Sequence, residues 1–196
     1  MKTTSFAQLF TRDNIREIEI PIIQRDFAQG RKSHEVSRIR ADFLNVLHDA
    51  LTGGKPVNLD FVYGKVEGGT LIPLDGQQRL TTLFLLHWYL AARACISDEI
   101  VRRLPVLTYE TRSSSRMFCQ RIVEQLMQLQ AEGLATQPPS KWIRDQSWFF
   151  AAWRHDPTIA AMLVVLDDIH ERFHDTDCSA AWERLIGTET SMISFH

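Results

Sequence analysis

The sequence predicts an α+β fold: a small mixed-sheet unit over residues 1–110, followed by an α-helical extension over residues 111–196. Two observations predict it. Short β-branched or apolar runs at 18–23, 58–66, 70–74 and 104–109 all lie in the first part, separated by helix-period segments at 34–51 and 78–96. Beyond residue 110 the apolar positions recur mainly at spacings of three and four, which is one face of a helix.

In chain order, Ile18-Glu19-Ile20-Pro21-Ile22-Ile23 reads as a short strand, placed at a sheet edge because Pro21 has no N–H to give a ladder. Gln24 to Lys32 reads as a loop in which Gly30 permits a turn. Ser33 caps a predicted helix from His34 to about Leu51, with Val36, Ile39, Phe43, Val46, Leu47 and Ala50 as its apolar face. Gly53-Gly54 ends it. Asn58–Val66 and Thr70–Leu74 read as a hairpin through Glu67-Gly68-Gly69, whose glycines tolerate positive φ. The next helix, about Gln78 to Ile96, is apolar nearly all round and is expected to be buried.

Leu104–Tyr109 is a further strand candidate, and a polar turn over Thr111–Ser115 follows it. Arg116–Ala131 is amphipathic through Phe118, Ile122, Leu126 and Leu129, and Gly133 with Pro138-Pro139 forms the clearest linker. Asp156-Pro157 is a strong helix start, an Asp cap followed by Pro at the first helical position. Ile159, Met162, Leu163, Leu166, Ile169 and Phe173 make the apolar face of that helix.

Composition bounds the function. With 22 Lys+Arg against 24 Asp+Glu, a net charge of −2 and 44% hydrophobic residues, bulk disorder is excluded, and so is nucleic-acid coating by global charge. Any nucleic-acid contact must come from a local patch. Cys95, Cys119 and Cys178 are odd in number and widely spaced, which fits neither a disulfide framework nor a zinc site. No apolar signal core follows Met1. The longest apolar run, Leu83–Ala92, is interrupted by His87 and is about half the ~20 residues a membrane helix needs. A cytoplasmic protein with no membrane partner is the expectation.

The chemistry is concentrated in Leu71-Ile72-Pro73-Leu74-Asp75-Gly76-Gln77-Gln78-Arg79-Leu80-Thr81-Thr82. A strand leads into a tight turn and a helix leaves it, so backbone N–H groups and the positive end of the helix dipole converge on one spot. Gly76 admits close approach of a ligand. Gln77 and Gln78 offer amides, Arg79 a planar fork suited to phosphate oxygens, and Thr81 and Thr82 hydroxyls. Asp75 is suited to hold Mg²⁺ or orient a water. The plainer alternative is that Asp75 caps the helix, Gly76 makes the turn and the polar residues are solvated. The motif is neither a GK[ST] phosphate loop nor a dinucleotide GxGxxG.

Several segments together resemble the N-terminal domain of GmrSD-type restriction enzymes and related phage-defence proteins: Ile20-Pro21 with Gln24-Arg25, Phe61-Val62-Tyr63-Gly64, Asp75 to Leu83, Tyr109 to Arg116, and Asp156-Pro157-Thr158-Ile159. The resemblance spans nearly the whole chain, and its DGQQR signature is fairly specific. It implies a ParB/sulfiredoxin-like fold, binding of a nucleoside triphosphate (NTP) and Mg²⁺-dependent hydrolysis, with modified foreign DNA as an implied partner. By motif position, Asp75 and Arg79 are the implied catalytic residues, with Asp75 toward the metal. Gln24, Arg25, Gly76, Gln77, Gln78, Thr81 and Arg112 are the implied nucleotide-binding residues. Family members continue into a further motif rich in Asn, Arg and Gly, and many carry an HNH nuclease domain. Here the last residues are the apolar, β-like run Ser191–His196, so a truncated chain is expected. The nuclease is then absent, supplied by a further domain or a partner subunit, and nuclease activity is not carried over.

Other features have two readings. Arg102, Arg103, Arg112, Arg116 and Arg121 face only Glu110 between positions 102 and 121, whereas Asp156, Asp167, Asp168, Glu171, Asp175 and Asp177 face Arg172 further on. The basic stretch is either a phosphate-receiving patch or a solvated face whose charges pair across the fold. Arg25, Arg31 and Lys32 either clamp a phosphate or keep a loop soluble. Trp142, Trp148, Phe149, Phe150 and Trp153 are expected to be core rather than base-stacking platforms. His170 and His174, one turn apart, are expected to be a helical face rather than metal ligands.

Overall fold

Strand β1 (Glu17–Ile20) lies inside a four-stranded sheet, not at an edge. The computed structural model describes residues 3–21, 27–31, 33–96, 106–110, 112–126, 134, 137–187 and 192–196. In it β1 is flanked on both sides by parallel neighbours, β4 (Thr70–Asp75) and β5 (Val106–Tyr109), and β3 (Tyr63–Glu67) closes the order β3-β4-β1-β5 as an antiparallel partner of β4. The edge placement predicted from Pro21 fails because the strand stops at Ile20, so the residue lacking an N–H stands just outside the ladder. Ile22, Ile23, Gln24, Arg25, Lys32, Arg102, Arg103, Thr111, Leu129, Gly133 and Ser191, all used in the sequence reading, lie outside the described residues.

The β3–β4 hairpin forms as its glycines predict, with φ of +58° at Gly68 and +87° at Gly69. The run expected as one strand over 58–66 divides, however. Val57–Asn58 forms β2, which pairs in parallel with the late strand β6 (Ile193–Ser194) as a separate two-stranded sheet, and the chain bends at Asp60 (φ +61°) before β3 begins. An apolar run shows strand character but not which sheet each half joins.

One face of the larger sheet is apolar and packs inward: Ile18 and Ile20, Leu71 and Pro73, Leu107 and Tyr109 are buried. On the other face the Thr108 hydroxyl donates to Glu17 Oε1 at 2.8 Å, and Arg116 lies 3.7 Å from Glu19. Among the described residues the helices are α1 (Phe6–Thr11), α2 (His34–Leu51), α3 (Gln77–Arg93), α4 (Ser113–Glu124), α5 (Pro139–Arg144), α6 (Pro157–Phe173) and α7 (Cys178–Ile186), with a 3₁₀ turn at Ala151–His155. Helix α3 is the hub, buried from Leu80 through Ala92 as its all-round apolar sequence predicts, and it packs on α1, α6 and α7. Helix α6 starts at the Asp156 cap and buries the whole predicted face, each side chain contributing about 1.5–3 kcal/mol relative to exposure.

Three other expectations change. The buried side of α2 is Arg40, Leu44, Leu47, Ala50 and Leu51, while Ile39 and Val46 are exposed, so the face is rotated from the one predicted. Counting apolar residues alone misplaced it because a buried arginine belongs to the stripe. Pro138-Pro139 is not a linker: Pro139 opens α5, which packs on α6. Helix α4 starts at Ser113 rather than Arg116, taking over most of the expected polar turn.

The acidic residues of the second half are mostly engaged in structure. Asp156 Oδ1 accepts from the N–H groups of Thr158 and Ile159 at 2.8 and 3.2 Å. Its Oδ2 accepts from the hydroxyls of Ser114 and Ser115. Asp167 accepts from the Ser140 N–H at 2.9 Å and its hydroxyl at 2.6 Å, and Asp168 pairs with Arg40. Trp142, Phe149 and Trp153 are buried as expected of core aromatics and Trp148 is partly buried against them, but Phe150 is exposed, meeting the core only through its edge-on contact with Trp153. His170 Nδ1 meets the Tyr89 hydroxyl at 3.0 Å, and burial lowers the pKa of that histidine. His174 Nε2 lies 3.0 Å from Asp175.

Candidate functional site

The three parallel strands end together, and the segments leaving their carboxyl ends carry the residues singled out in the sequence. Open α/β sheets place ligands at this edge, where helix N-termini and loop backbones converge. After β1 comes the loop containing Phe27–Arg31; after β4, Gly76 and α3; after β5, Glu110, Arg112 and α4. The Glu110 N–H donates to Ile20 O at 3.0 Å and stitches the first and third of these together.

Gly76 is the N-cap of α3 at φ +88°, a left-handed conformation that glycine adopts without penalty. A Cβ there would lie 2.7 Å from Val62 Cγ2, so the turn also has no room for a larger residue. Glycine supplies no side-chain acceptor to the first turn of the 17-residue helix. The Asp75 carboxylate accepts from the Gly76 N–H at 2.7 Å, and its residue is exposed at the end of β4. Arg79 Nη1 donates to Phe61 O at 2.6 Å.

Gln77 and Gln78 turn to the other side of the motif. With Ala28, Gln29, Val36 and Ile39 they line a cleft of about 320 Å³. Gln78 Oε1 accepts from the N–H of Ala28 at 2.9 Å and of Gln29 at 3.3 Å, so the motif holds the loop after β1. The Thr82 hydroxyl donates to Gln29 Oε1 and also lies 3.0 Å from Gln78 O. Thr81 is fully buried beneath, its hydroxyl 3.0 Å from that of Tyr109. Arg112 is half-buried at the N-cap of α4, on the same sheet edge but not among the residues lining the cleft. Gln24 and Arg25 belong to the segment between Pro21 and Phe27, outside the described residues.

Arg40, which the sequence reading passed over, and Gly30, which it took only as a turn residue, hold the loop behind the cleft. Arg40, 6% exposed, bonds the Gln29 and Arg31 carbonyls and pairs with Asp168 of α6. Gly30 backs onto α6 so closely that a Cβ would lie 2.1 Å from Ala161 O. The loop is thus held from three directions. The signal for Arg40 was present: it stands at i with Leu44, Leu47 and Leu51, a charge inside an apolar stripe.

Two larger depressions lie elsewhere, about 450 Å³ beside His48, Thr176 and Arg184 and about 380 Å³ beside Asp167, His170 and His174. Neither is at the strand ends or touches the DGQQR turn, so geometry rather than volume selects the site. Among the described residues no group of three or more His, Cys, Asp or Glu forms a metal set. Among the described residues one carboxylate, Asp75, stands at the turn. That donor set fits a Mg²⁺ ion carried in on phosphates, which needs only one or two carboxylates from protein, and does not fit a metal held by the protein alone. Among the described residues no helix is long and apolar enough to cross a membrane.

A family model described as the N-terminal domain of the GmrSD restriction endonuclease matches residues 6–194. No curated protein and no solved structure matches the chain.

Proposed function

The chain belongs to the family of GmrSD restriction endonuclease N-terminal domains, and from that premise we propose that it binds a nucleoside triphosphate at the carboxyl edge of β1, β4 and β5 and hydrolyses it. In this reading residues 1–110 are a ParB/sulfiredoxin-like nucleotide unit and 111–196 its helical extension, acting in a cytoplasmic defence system against modified DNA. The DNA-cutting chemistry belongs to a further domain or partner subunit. The observation that carries the reading is the left-handed, uncapped Gly76 turn between β4 and α3, with Gln77, Gln78 and Arg79 in the first helical turn.

Each residue has a role that its chemistry suits. The Gly76 turn and the α3 N-terminus cradle phosphate oxygens, where the helix dipole favours negative charge. Arg79 balances charge on the phosphoryl group, an effect strongest when donors are held in place beforehand. Gln77 presents an amide to the cleft, and Gln78 holds the loop after β1 against it. Arg112 at the head of α4, with Gln24 and Arg25, which precede Phe27 in the chain, would supply further phosphate contacts. Thr81 braces the first turn against Tyr109. Asp75 would hold Mg²⁺, which when bound draws charge from the phosphates and orients water.

A second reading is a nucleotide-gated or DNA-sensing module that binds without turnover. It is favoured by one detail: the carboxylate at the turn, Asp75, already accepts the Gly76 N–H.

Phosphate release from each of the four common NTPs with Mg²⁺, paired with calorimetric binding, separates the readings. Release abolished by Arg79→Ala supports the hydrolase. Binding without release supports the gated module. Neither binding nor release overturns both.

A further inference from the structure

The segment Val57–Val62 is held from two sides. On one side is the C-terminal strand: Leu59 N donates to Ser194 O at 2.7 Å, Val62 N to His196 O at 2.8 Å, and His196 N returns to Asp60 O at 2.9 Å. The Asn58 amide nitrogen and His196 Nε2 are 2.8 Å apart, and the Phe61 and His196 rings stand 5.9 Å apart. On the other side is the DGQQR turn. Phe61 O accepts from Arg79 at 2.6 Å, and Val62 fills the space beside Gly76.

We infer that Asn58–Val62 is a strap that positions Arg79, and that residues 192–196 set the strap. This rests on the reading of Arg79 as a phosphate ligand. An arginine has five N–H donors, so the one spent on Phe61 O fixes the plane of the guanidinium and leaves the others for an anion. The carbonyl that fixes it belongs to a residue with its own side chain about half in solvent, 48% exposed. Phe61 therefore has little packing of its own to hold it. Its position is determined by its neighbours Asp60 and Val62, both of which are bonded to His196. Strand pairing at the end of the chain and guanidinium geometry at the turn are two ends of one hydrogen-bonded path.

Coupling of this kind is reciprocal, so it is tested from both ends. Amide hydrogen exchange on the full chain compares wild type with Arg79→Ala and Asn58→Ala. Arg79→Ala is expected to speed exchange at Leu59, Val62 and His196 by about tenfold, the scale of one lost charge-assisted hydrogen bond, while α6 amides keep wild-type rates. Unchanged exchange at His196 overturns the inference. From the other end, Asn58→Ala is expected to lower kcat for the Mg·NTP severalfold with a smaller change in KM, since the strap orients the guanidinium that balances charge on the phosphoryl group. An unmoved kcat overturns it. Should wild type neither bind nor hydrolyse nucleotide, the proposed function fails, and the exchange measurement still decides whether the strap couples the two ends.

Discussion

The side-chain oxygen of Gln78 accepts the backbone N–H of Ala28 at 2.9 Å and that of Gln29 at 3.3 Å, joining the first turn of α3 to the loop that follows β1. Two backbone donors therefore depend on one side chain. Gln78→Ala leaves both without that acceptor and is expected to cost about 1–3 kcal/mol in urea unfolding, with faster exchange at those two amides. Gln78→Glu keeps the acceptor and is expected to restore protection while weakening nucleotide binding, because it brings negative charge beside the phosphates. Equal loss of protection in both variants would refute this account.

Gly76→Ala meets two obstacles, a positive φ and the Val62 side chain 2.7 Å from the new Cβ. A destabilisation of about 1–3 kcal/mol is expected from the backbone alone, with the clash adding to it. Val62→Ala in the same chain is expected to remove only the steric share, which a double-mutant cycle by chemical denaturation measures as a favourable coupling.

Asp156 receives two backbone N–H groups of α6 and the hydroxyls of Ser114 and Ser115 of α4. Asp156→Ala removes a helix cap and the shared acceptor of two serines, an expected loss of about 2–4 kcal/mol. Since Ser114 and Ser115 open α4 just after Arg112, the same variant is expected to loosen that end of the helix in hydrogen exchange. Asp156→Asn, which keeps a capping oxygen, is expected to lose less.

His87 is buried between Phe6 and Trp182, with its Nδ1 bonded to Leu83 O and, among the described residues, no partner for Nε2. Burial lowers its pKa from 6.5 to about 4. The unfolded chain therefore takes up this proton first as pH falls. Its contribution is fully present above about pH 6.5 and is lost progressively down to about pH 4, by about 3 kcal/mol at most. Denaturation at stepped pH is expected to show that slope, and His87→Met is expected to flatten it.

Local signals in the sequence survived folding well. The Ser33 and Asp156 caps, the two-glycine hairpin and the buried α3 all form where their residue chemistry places them. Each depends on interactions within a few residues, or on an apolar pattern that leaves one outcome. What the sequence concealed is pairing at long range: that β1 is central, and that β2 belongs with β6. The site divides the same way. The DGQQR turn was visible as a strand, a glycine and a helix start, whereas the anchoring of its Arg to Phe61 O and of its Gln to Ala28 depends on segments distant in the chain. Arg40 was missed because charged residues are ordinarily assigned to solvent, and this one stays buried by meeting two carbonyls and a carboxylate.

The pairing of β2 with β6 also has a consequence for synthesis. The larger sheet is complete once residue 109 is available, so β1, β4, β5 and the Gly76 turn can assemble while the second half of the chain is still being made. Asn58 and His196 are 138 residues apart, and their contact closes one of the longest loops in the protein. The strap beside Arg79 therefore gains its second anchor last. A nascent chain would display the motif before it could orient the guanidinium, so that competence of the turn would await residues 192–196.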